Sequence, residues 1–254
     1  RRDHGKIIFL DLRDRSGLLQ LVVTAPLSQS PEVAEIKPEY VVEVTGTIAQ
    51  RSEKTVNPDI PTGTVEVKVA EIRTLAKAES LPFDMGGQEL NLELPTLLDY
   101  RALTLRHSKV GPIFKVQEVV IDAFREALKK IEFTEFQAPV FIPEVAEGGS
   151  EVFKVPYFGK EVYLSQSPQL YKQILVGVYE RVFAVNKTLR AEPSMTTRHL
   201  TEATTLDAEF GFIDSWLDVK EMAEYTIKYM LSRVEKECGD ILKMFGATVP
   251  KVSE

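Results

Sequence analysis

The strongest constraint in the chain is a pair of alternating stretches at 181–192 and 204–212 with a polar loop between them. In the first, Phe183, Val185 and Leu189 fall on one face, and Asn186, Thr188, Arg190 and Glu192 on the other. In the second, Leu206, Ala208, Phe210 and Phe212 share an apolar face opposed by Thr205, Asp207 and Glu209. Alternation with period two predicts half-buried antiparallel strands. The connecting loop is long for a hairpin and contains Arg198 and His199. A sheet with one packed side and one side of Arg, Glu and Asp can hold a zwitterionic, phosphorylated ligand. A solvated face closed by cross-strand ion pairs is the plain alternative. Both readings stay open on this segment alone.

A second segment separates them. The strand-like run 161–164 leads into Ser165-Gln-Ser-Pro-Gln-Leu-Tyr-Lys-Gln173. Ser167 followed by Pro168 reads as an N-cap and a first-turn proline. Gln169 and Lys172, three residues apart, then share one helical face beside the strand end. Taken with Leu189-Arg-Ala-Glu192, the loop Thr197-Arg-His199 and Leu206-Asp207, this string resembles the class II aminoacyl-tRNA synthetases, and most of all the aspartyl-tRNA synthetases. The resemblance runs from Arg1 to about Trp216.

Composition sets the outer bounds. At 254 residues the chain has room for two domains. A hydrophobic content of 44% and a charged content of 27% are those of an ordinary globular protein. No run approaches the roughly 20 apolar residues of a membrane span, and we expect a cytoplasmic protein with no membrane partner. The opening Arg1-Arg2-Asp3-His4-Gly5 lacks a start methionine, which we read as neither a signal peptide nor a natural beginning. Cys238 is the single cysteine, which excludes an internal disulfide and a cysteine-built zinc site; it reads as a small core residue. The net charge of −7 argues against indiscriminate nucleic-acid binding but leaves room for a local RNA surface.

Along the chain, residues 6–12, 18–24, 40–50 and 64–75 read as β-strands, with a short helix at 31–37 and turns at 13–17 and 57–63. That set suits a small OB-fold barrel, incomplete at its start. Phe9 shares a face with Asp11 and Arg13, and Gln20 lies on the adjoining strand. An aromatic among polar neighbours on such a sheet is either a stacking platform for an unpaired base or a side chain packed under a loop. Residues 77–108, with Pro82, Gly86, Gly87 and Pro95, show no clean period and read as a hinge. Apolar residues from Ile113 to Ile131 recur at helical spacing, predicting a helix over 111–130, followed by a strand at 133–141 containing Pro139. Ser215–Asp218 resembles a capping box, opening a helix that we expect to stop near Gly239.

The expected fold is therefore α+β. A partial OB-fold barrel (1–76) and a hinge (77–108) precede part of a class II antiparallel sheet with flanking helices (109–254). The resemblance implies an aspartate–tRNA ligase that uses ATP with Mg2+. Arg190 matches the arginine that binds the α-phosphate, Glu192 the acceptor for the adenine amino group, and His199 a loop residue near the γ-phosphate. Lys172 matches the lysine for the substrate's side-chain carboxylate. Asp207, Gln169 and Glu147 match residues around its amino end, with Glu147 in a loop hinged on Gly148 and Gly149.

The resemblance assigns anticodon contacts to Arg2, Phe9 and Gln20, and gives tRNA-Asp and aspartate as partners. It places a homodimer interface in the helix–strand–proline segment, where the usual Gly-Phe is replaced by Glu132-Phe133. His4 resembles relatives that also aspartylate tRNA-Asn; an exposed loop histidine is the other reading.

Two departures stand out. Ala203 occupies the place of a phenylalanine that stacks on adenine, and nothing in 236–254 resembles the third motif or the magnesium-binding acids before it. No metal ligand is assigned within this chain. We read it as a fragment holding the anticodon domain and the first half of the catalytic domain, inactive alone. An asparaginyl- or lysyl-tRNA synthetase is the nearest rival. A non-catalytic RNA-binding paralogue, favoured by Ala203 and opposed by Arg190, Glu192, Lys172 and Asp207, is the rival from another class.

Overall fold

The computed structural model describes residues 1–252 other than 59, 88, 146–150, 194–195 and 197–198. The chain forms two compact units, Arg1–Gly87 and Gln88–Glu254. The residues expected to act as a hinge are thus shared between them.

The first unit is a five-stranded sheet built from β1 (Arg2–Asp3), β2 (Ile7–Asp14), β3 (Gly17–Thr24), β4 (Val41–Gln50) and β5 (Val65–Ala76), in the order β1-β2-β3-β5-β4. Asp14 makes the β2–β3 turn by accepting from the backbone N–H groups of Ser16 and Gly17, at 2.7 and 3.2 Å. Gly17 closes it at φ 146°, a left-handed region that favours glycine. Alternation sends Ile8, Leu10, Leu21 and Val23 inward, where Val33, Ile36, Val67 and Ile72 complete the core. Val33 comes from α1 (Pro31–Glu35), whose Ser30 cap and first-turn proline start the helix. β3 and β5 pair in parallel, so Gln20 comes to lie beside Glu66, far along the chain.

The second unit begins with two short helices, α2 (Leu94–Asp99) and α3 (Arg101–Thr104), where the sequence showed no period. Pro95 opens α2 in the first turn. Next come α4 (Ile113–Lys130), β6 (Thr134–Glu135), β7 (Phe141–Ile142), β8 (Lys154–Tyr157), β9 (Lys160–Leu164) and α5 (Gln169–Tyr179). β10 (Arg181–Leu189), β11 (Glu202–Phe210) and α6 (Trp216–Met244) complete the unit. Two three-stranded sheets result, β11-β10-β6 and β7-β9-β8.

The single strand expected at 133–141 is corrected to two short pieces. β6 pairs in parallel with β10, whereas β7 pairs with β9 in the other sheet. The segment crosses between sheets, and Pro139, which has no N–H to donate to a ladder, lies in the crossing.

The expected end of the last helix at Gly239 is also corrected. The helix starts at the predicted capping box, with Ser215 and Asp218 making both reciprocal bonds. It runs through Gly239 because the apolar stripe continues past that glycine, from buried Val234 and Cys238 to half-buried Ile241, Leu242 and Met244. Their packing outweighs a glycine penalty of about 1 kcal/mol. Burial also pushes the Cys238 thiol pKa up, as fits a core residue. The helix ends at Gly246, φ 63°, where Gly246 donates to Lys243 and Ala247 to Leu242.

The apolar side of the β10–β11 hairpin packs on α4 and α6. Phe124, Leu128, Phe133 and Phe183 are buried together, with Val185, Leu206, Phe210, Met222 and Met230 around them. Phe183 is fully buried and meets Phe124 edge to face at 5.6 Å. Phe183→Ala should lower unfolding free energy by about 3–5 kcal/mol, read from the denaturant midpoint at unchanged slope. A loss under about 1 kcal/mol would show that the ring is not the element on which these helices pack.

Candidate functional site

The register of β10 on β11 fixes the site. Val182 faces Glu209, Ala184 faces Asp207, Asn186 faces Thr205 and Thr188 faces Ala203. These eight residues form the side of the hairpin away from the α4–α6 core. That side was expected to be a polar, open face, and the structure corrects this. Val182 and Ala184 are fully buried, and Asn186 and Thr188 are also buried. α5 lies across this side, turning Lys172 inward while Leu170, Ile174 and Val178 face outward.

Lys172 is the centre of the arrangement. It is 6% exposed, and its Nζ lies 3.1 Å from Asp207 Oδ1 and 3.4 Å from Glu209 Oε2. Ala184, opposite Asp207, keeps the strand thin where the ammonium sits. An isolated buried ammonium is strongly unfavourable, so two carboxylates are what allow a charged lysine here. The three side chains together carry one net negative charge. An ammonium has three N–H donors; one is hydrogen-bonded to Asp207, and Glu209 faces the ammonium as an ion pair. One remains for another acceptor.

The chain preceding α5 is held from several sides. Ser165 and Gln166 are buried. Ser165 donates its N–H to Val140 at 2.8 Å and accepts from Leu189 N at 3.0 Å, which ties the start of this segment to the end of β10. Ser167 Oγ accepts from Gln169 N at 3.1 Å. Pro168, not Ser167, holds the capping position of α5. Gln169 and Lys172 share the inward face, as their spacing predicts.

Arg190 follows β10 on the same side as Lys172. Its backbone N–H donates to Thr201 O at 2.9 Å, while its guanidinium is exposed and makes no hydrogen bond or ion pair among the described residues. Glu192 is half-buried and makes no ion pair with it among the described residues. His199 is exposed in the loop, its Nδ1 2.7 Å from Thr196 Oγ1. Glu147 and Arg198 lie outside the described residues.

In the first unit, Arg2, Phe9 and Gln20 come together. Arg2 pairs with Phe9 across β1 and β2 and holds its guanidinium 5.8 Å from the ring centroid. His4 meets the same ring edge-on at 5.7 Å. Gln20, 5% exposed, accepts from Arg2 at 3.0 Å and donates to Glu66 Oε2 at 3.2 Å, so its amide orientation is fixed from both ends. Arg51 Nε stands 3.9 Å from Glu66. A half-buried aromatic ring bordered by oriented polar groups can stack a base and read its edge.

Two partners were not foreseen. Glu209 was visible to alternation, two residues from Asp207, but carried no role. Glu66 joins Gln20 only through the parallel β3–β5 pairing, which leaves no local trace in the sequence.

Comparison with known proteins agrees with this geometry. Residues 93–253 match the family described as tRNA synthetases class II (D, K and N), and residues 1–75 match the OB-fold nucleic acid binding domain. The chain is 40% identical to the aspartate–tRNA(Asp/Asn) ligase of Deinococcus radiodurans over 99% of its own length and 55% of the relative's. It is 41% identical to the ligase of the same name from Thermus thermophilus over 98% and 56%. It therefore spans about half the length of these curated relatives.

Among solved structures, it is similar to a putative aspartyl-tRNA synthetase from Leishmania major, with a TM-score of 0.86 and 30% identity over 98% of this chain and 50% of that one. It is also similar to the asparaginyl-tRNA synthetase of Pyrococcus horikoshii complexed with asparaginyl-adenylate, with a TM-score of 0.84 and 32% identity over 96% and 55%. An OB-fold sheet followed by this hairpin-and-helix site, matched over 93–253, places the chain in the class II tRNA synthetases of the D, K and N family.

Proposed function

We propose that the full-length protein carrying this chain is an aspartate–tRNA ligase that charges tRNA-Asp and also tRNA-Asn. The observation that carries the reading is Lys172, a buried cation with one N–H to spare beside Asp207 and Glu209. Aspartate offers an ammonium to the net negative trio and a side-chain carboxylate to the lysine. Gln169 on the same helical face, and Glu147 by resemblance, complete the surroundings of the ammonium. A cation facing the substrate side chain favours aspartate over asparagine, which sets this reading above an asparaginyl enzyme.

The aspartate α-carboxylate is already a nucleophile, so activation needs placement and charge neutralisation, with no catalytic base. One of its oxygens attacks the α-phosphorus of ATP. The bond from that phosphorus to the bridging oxygen breaks, and pyrophosphate leaves with the electron pair. Arg190, whose guanidinium has no partner among the described residues, would fork two oxygens of that phosphate. Glu192 would accept from the adenine amino group, and His199 would stand near the γ-phosphate. In the second step a ribose hydroxyl of the tRNA's terminal adenosine attacks the carbonyl carbon, loses its proton to solvent, and releases AMP.

Magnesium would enter as the counter-ion of ATP. Among the described residues no group of three His, Cys, Asp or Glu side chains could hold a metal, so no step is assigned to a metal held here.

In this reading residues 1–76 bind the anticodon, 77–108 connect, and 109–254 belong to the catalytic domain. Arg2, Phe9 and Gln20 form the anticodon platform. Contact of His4 with the Phe9 ring, together with relatives named for both tRNAs, supports dual charging. Ile113, Phe114, Val140 and Phe141 are exposed apolar side chains in the segment we assign to a homodimer interface. No described helix is long and apolar enough to cross a membrane, and we place the protein in the cytoplasm.

The full-length protein should exchange pyrophosphate into ATP only when aspartate and magnesium are present. Better exchange with asparagine or lysine would overturn the assignment. Phe9→Ala should leave that exchange intact while lowering aminoacylation of tRNA by about tenfold to a hundredfold, the worth of one stacked base. Unchanged aminoacylation in Phe9→Ala would remove the anticodon role, and rejection of tRNA-Asn by the wild type would remove dual charging.

A further inference from the structure

One cross-strand pair on the site side of the hairpin has no role in the reading above. Asn186 of β10 faces Thr205 of β11, between the Ala184–Asp207 pair and the Thr188–Ala203 pair. Asn186 is 9% exposed. Its Nδ2 and the Thr205 Oγ1 are both buried and have no hydrogen-bond partner among the described residues. Among the described residues, buried side-chain atoms without a partner occur at only one other place, Arg51 in the first unit. Two such atoms on directly opposed residues are one feature, not two accidents.

Packing does not call for polarity here. The neighbouring pair on the core side of the same strands is Val185 opposite Leu206. A valine at either polar position would avoid the penalty of a buried group without a partner. The amide and hydroxyl call for a partner that the described residues do not supply.

Their place on the strands says which partner fits. Successive same-side residues step by about 6.8 Å. Asn186 and Thr205 are one step from Asp207, where Lys172 sits, and two steps from Arg190. In the proposed function the substrate's side-chain carboxylate is at Lys172 and the α-phosphate is at Arg190. The atoms between those points belong to the α-carboxyl group that becomes joined to phosphorus.

We propose that Asn186 and Thr205 are substrate-contacting residues, with the Asn186 amide donating to an α-carboxyl oxygen of the amino acid and the Thr205 hydroxyl completing the contact. This rests on the adenylate-forming reading of the site. A neutral donor orients the carboxylate without taking up its negative charge, so the attacking oxygen keeps its nucleophilicity.

The test uses the full-length protein, with Thr205→Val as the isosteric variant and Asn186→Ala as the second. Thermal unfolding without substrates and aspartate-dependent pyrophosphate exchange are measured for each. The Tm of Thr205→Val should equal or exceed that of the wild type, because an unpartnered hydroxyl becomes a methyl group. Both variants should lose about tenfold in kcat/KM for aspartate, with KM for ATP within about twofold. Unchanged exchange in Thr205→Val and Asn186→Ala would overturn the contact while leaving the functional reading intact. A lowered Tm in Thr205→Val would also overturn it, by showing an internal partner for the hydroxyl. A wild type with no aspartate-dependent exchange would instead remove the functional reading.

Discussion

The ammonium of Lys172, held between Asp207 and Glu209, is the interaction on which the second unit's chemistry depends. It joins α5 to the last strand of the hairpin, and it does so at a buried point where a charge without partners would be intolerable. Because one partner lies on each of two alternate positions of β11, the lysine reads the strand's register: a slip of one residue would remove both acids from it. The same contact therefore fixes packing and leaves a specific charge pattern in the floor of the site. Buried ion pairs are weak evidence for stability and better evidence for specificity.

That floor is continuous with the rest of the hairpin. Phe183 and Val185 bind the strands to α4 and α6 on one side, which leaves the other free to carry polar residues. On that second side, charge increases outward in both directions from the Asn186–Thr205 pair, towards Lys172 at one end and Arg190 at the other. Arg190 is the one of these that is exposed and has no protein partner among the described residues. A rigid core beneath and pre-placed charges above is the arrangement that electrostatic catalysis requires. The OB-fold unit follows the same logic on a smaller scale. Ile8, Leu10, Leu21 and Val23 fill its core, and the outer side presents Phe9 with Gln20 oriented between Arg2 and Glu66.

Much of this was legible in the sequence, for reasons that can be named. Alternation located β2 to β5, β10 and β11, because a half-buried strand writes its two faces into the chain. The Ser215–Asp218 box marked the start of α6 because both of its bonds are local. The spacing of Gln169 and Lys172 placed them on one inward face. What escaped depends on distant contacts. Burial of the polar side of β10 comes from α5 lying over it, and the division of 133–141 comes from two different sheets claiming its ends. Continuation of α6 past Gly239 comes from packing of its apolar stripe, which runs from Val234 and Cys238 on to Ile241, Leu242 and Met244. Glu66 reaches Gln20 only through a parallel pairing of strands far apart in sequence.

The central claim is that the Lys172 cation makes the site choose a carboxylate side chain. Aspartate and asparagine differ at that one group, so their kcat/KM ratio in pyrophosphate exchange measures the choice directly, and Lys172→Gln tests its source. The account predicts that the aspartate-to-asparagine ratio falls by about a hundredfold or more in Lys172→Gln, the worth of about 2.7 kcal/mol. A ratio unchanged from the wild type, in a variant that still folds and still exchanges pyrophosphate, would contradict it.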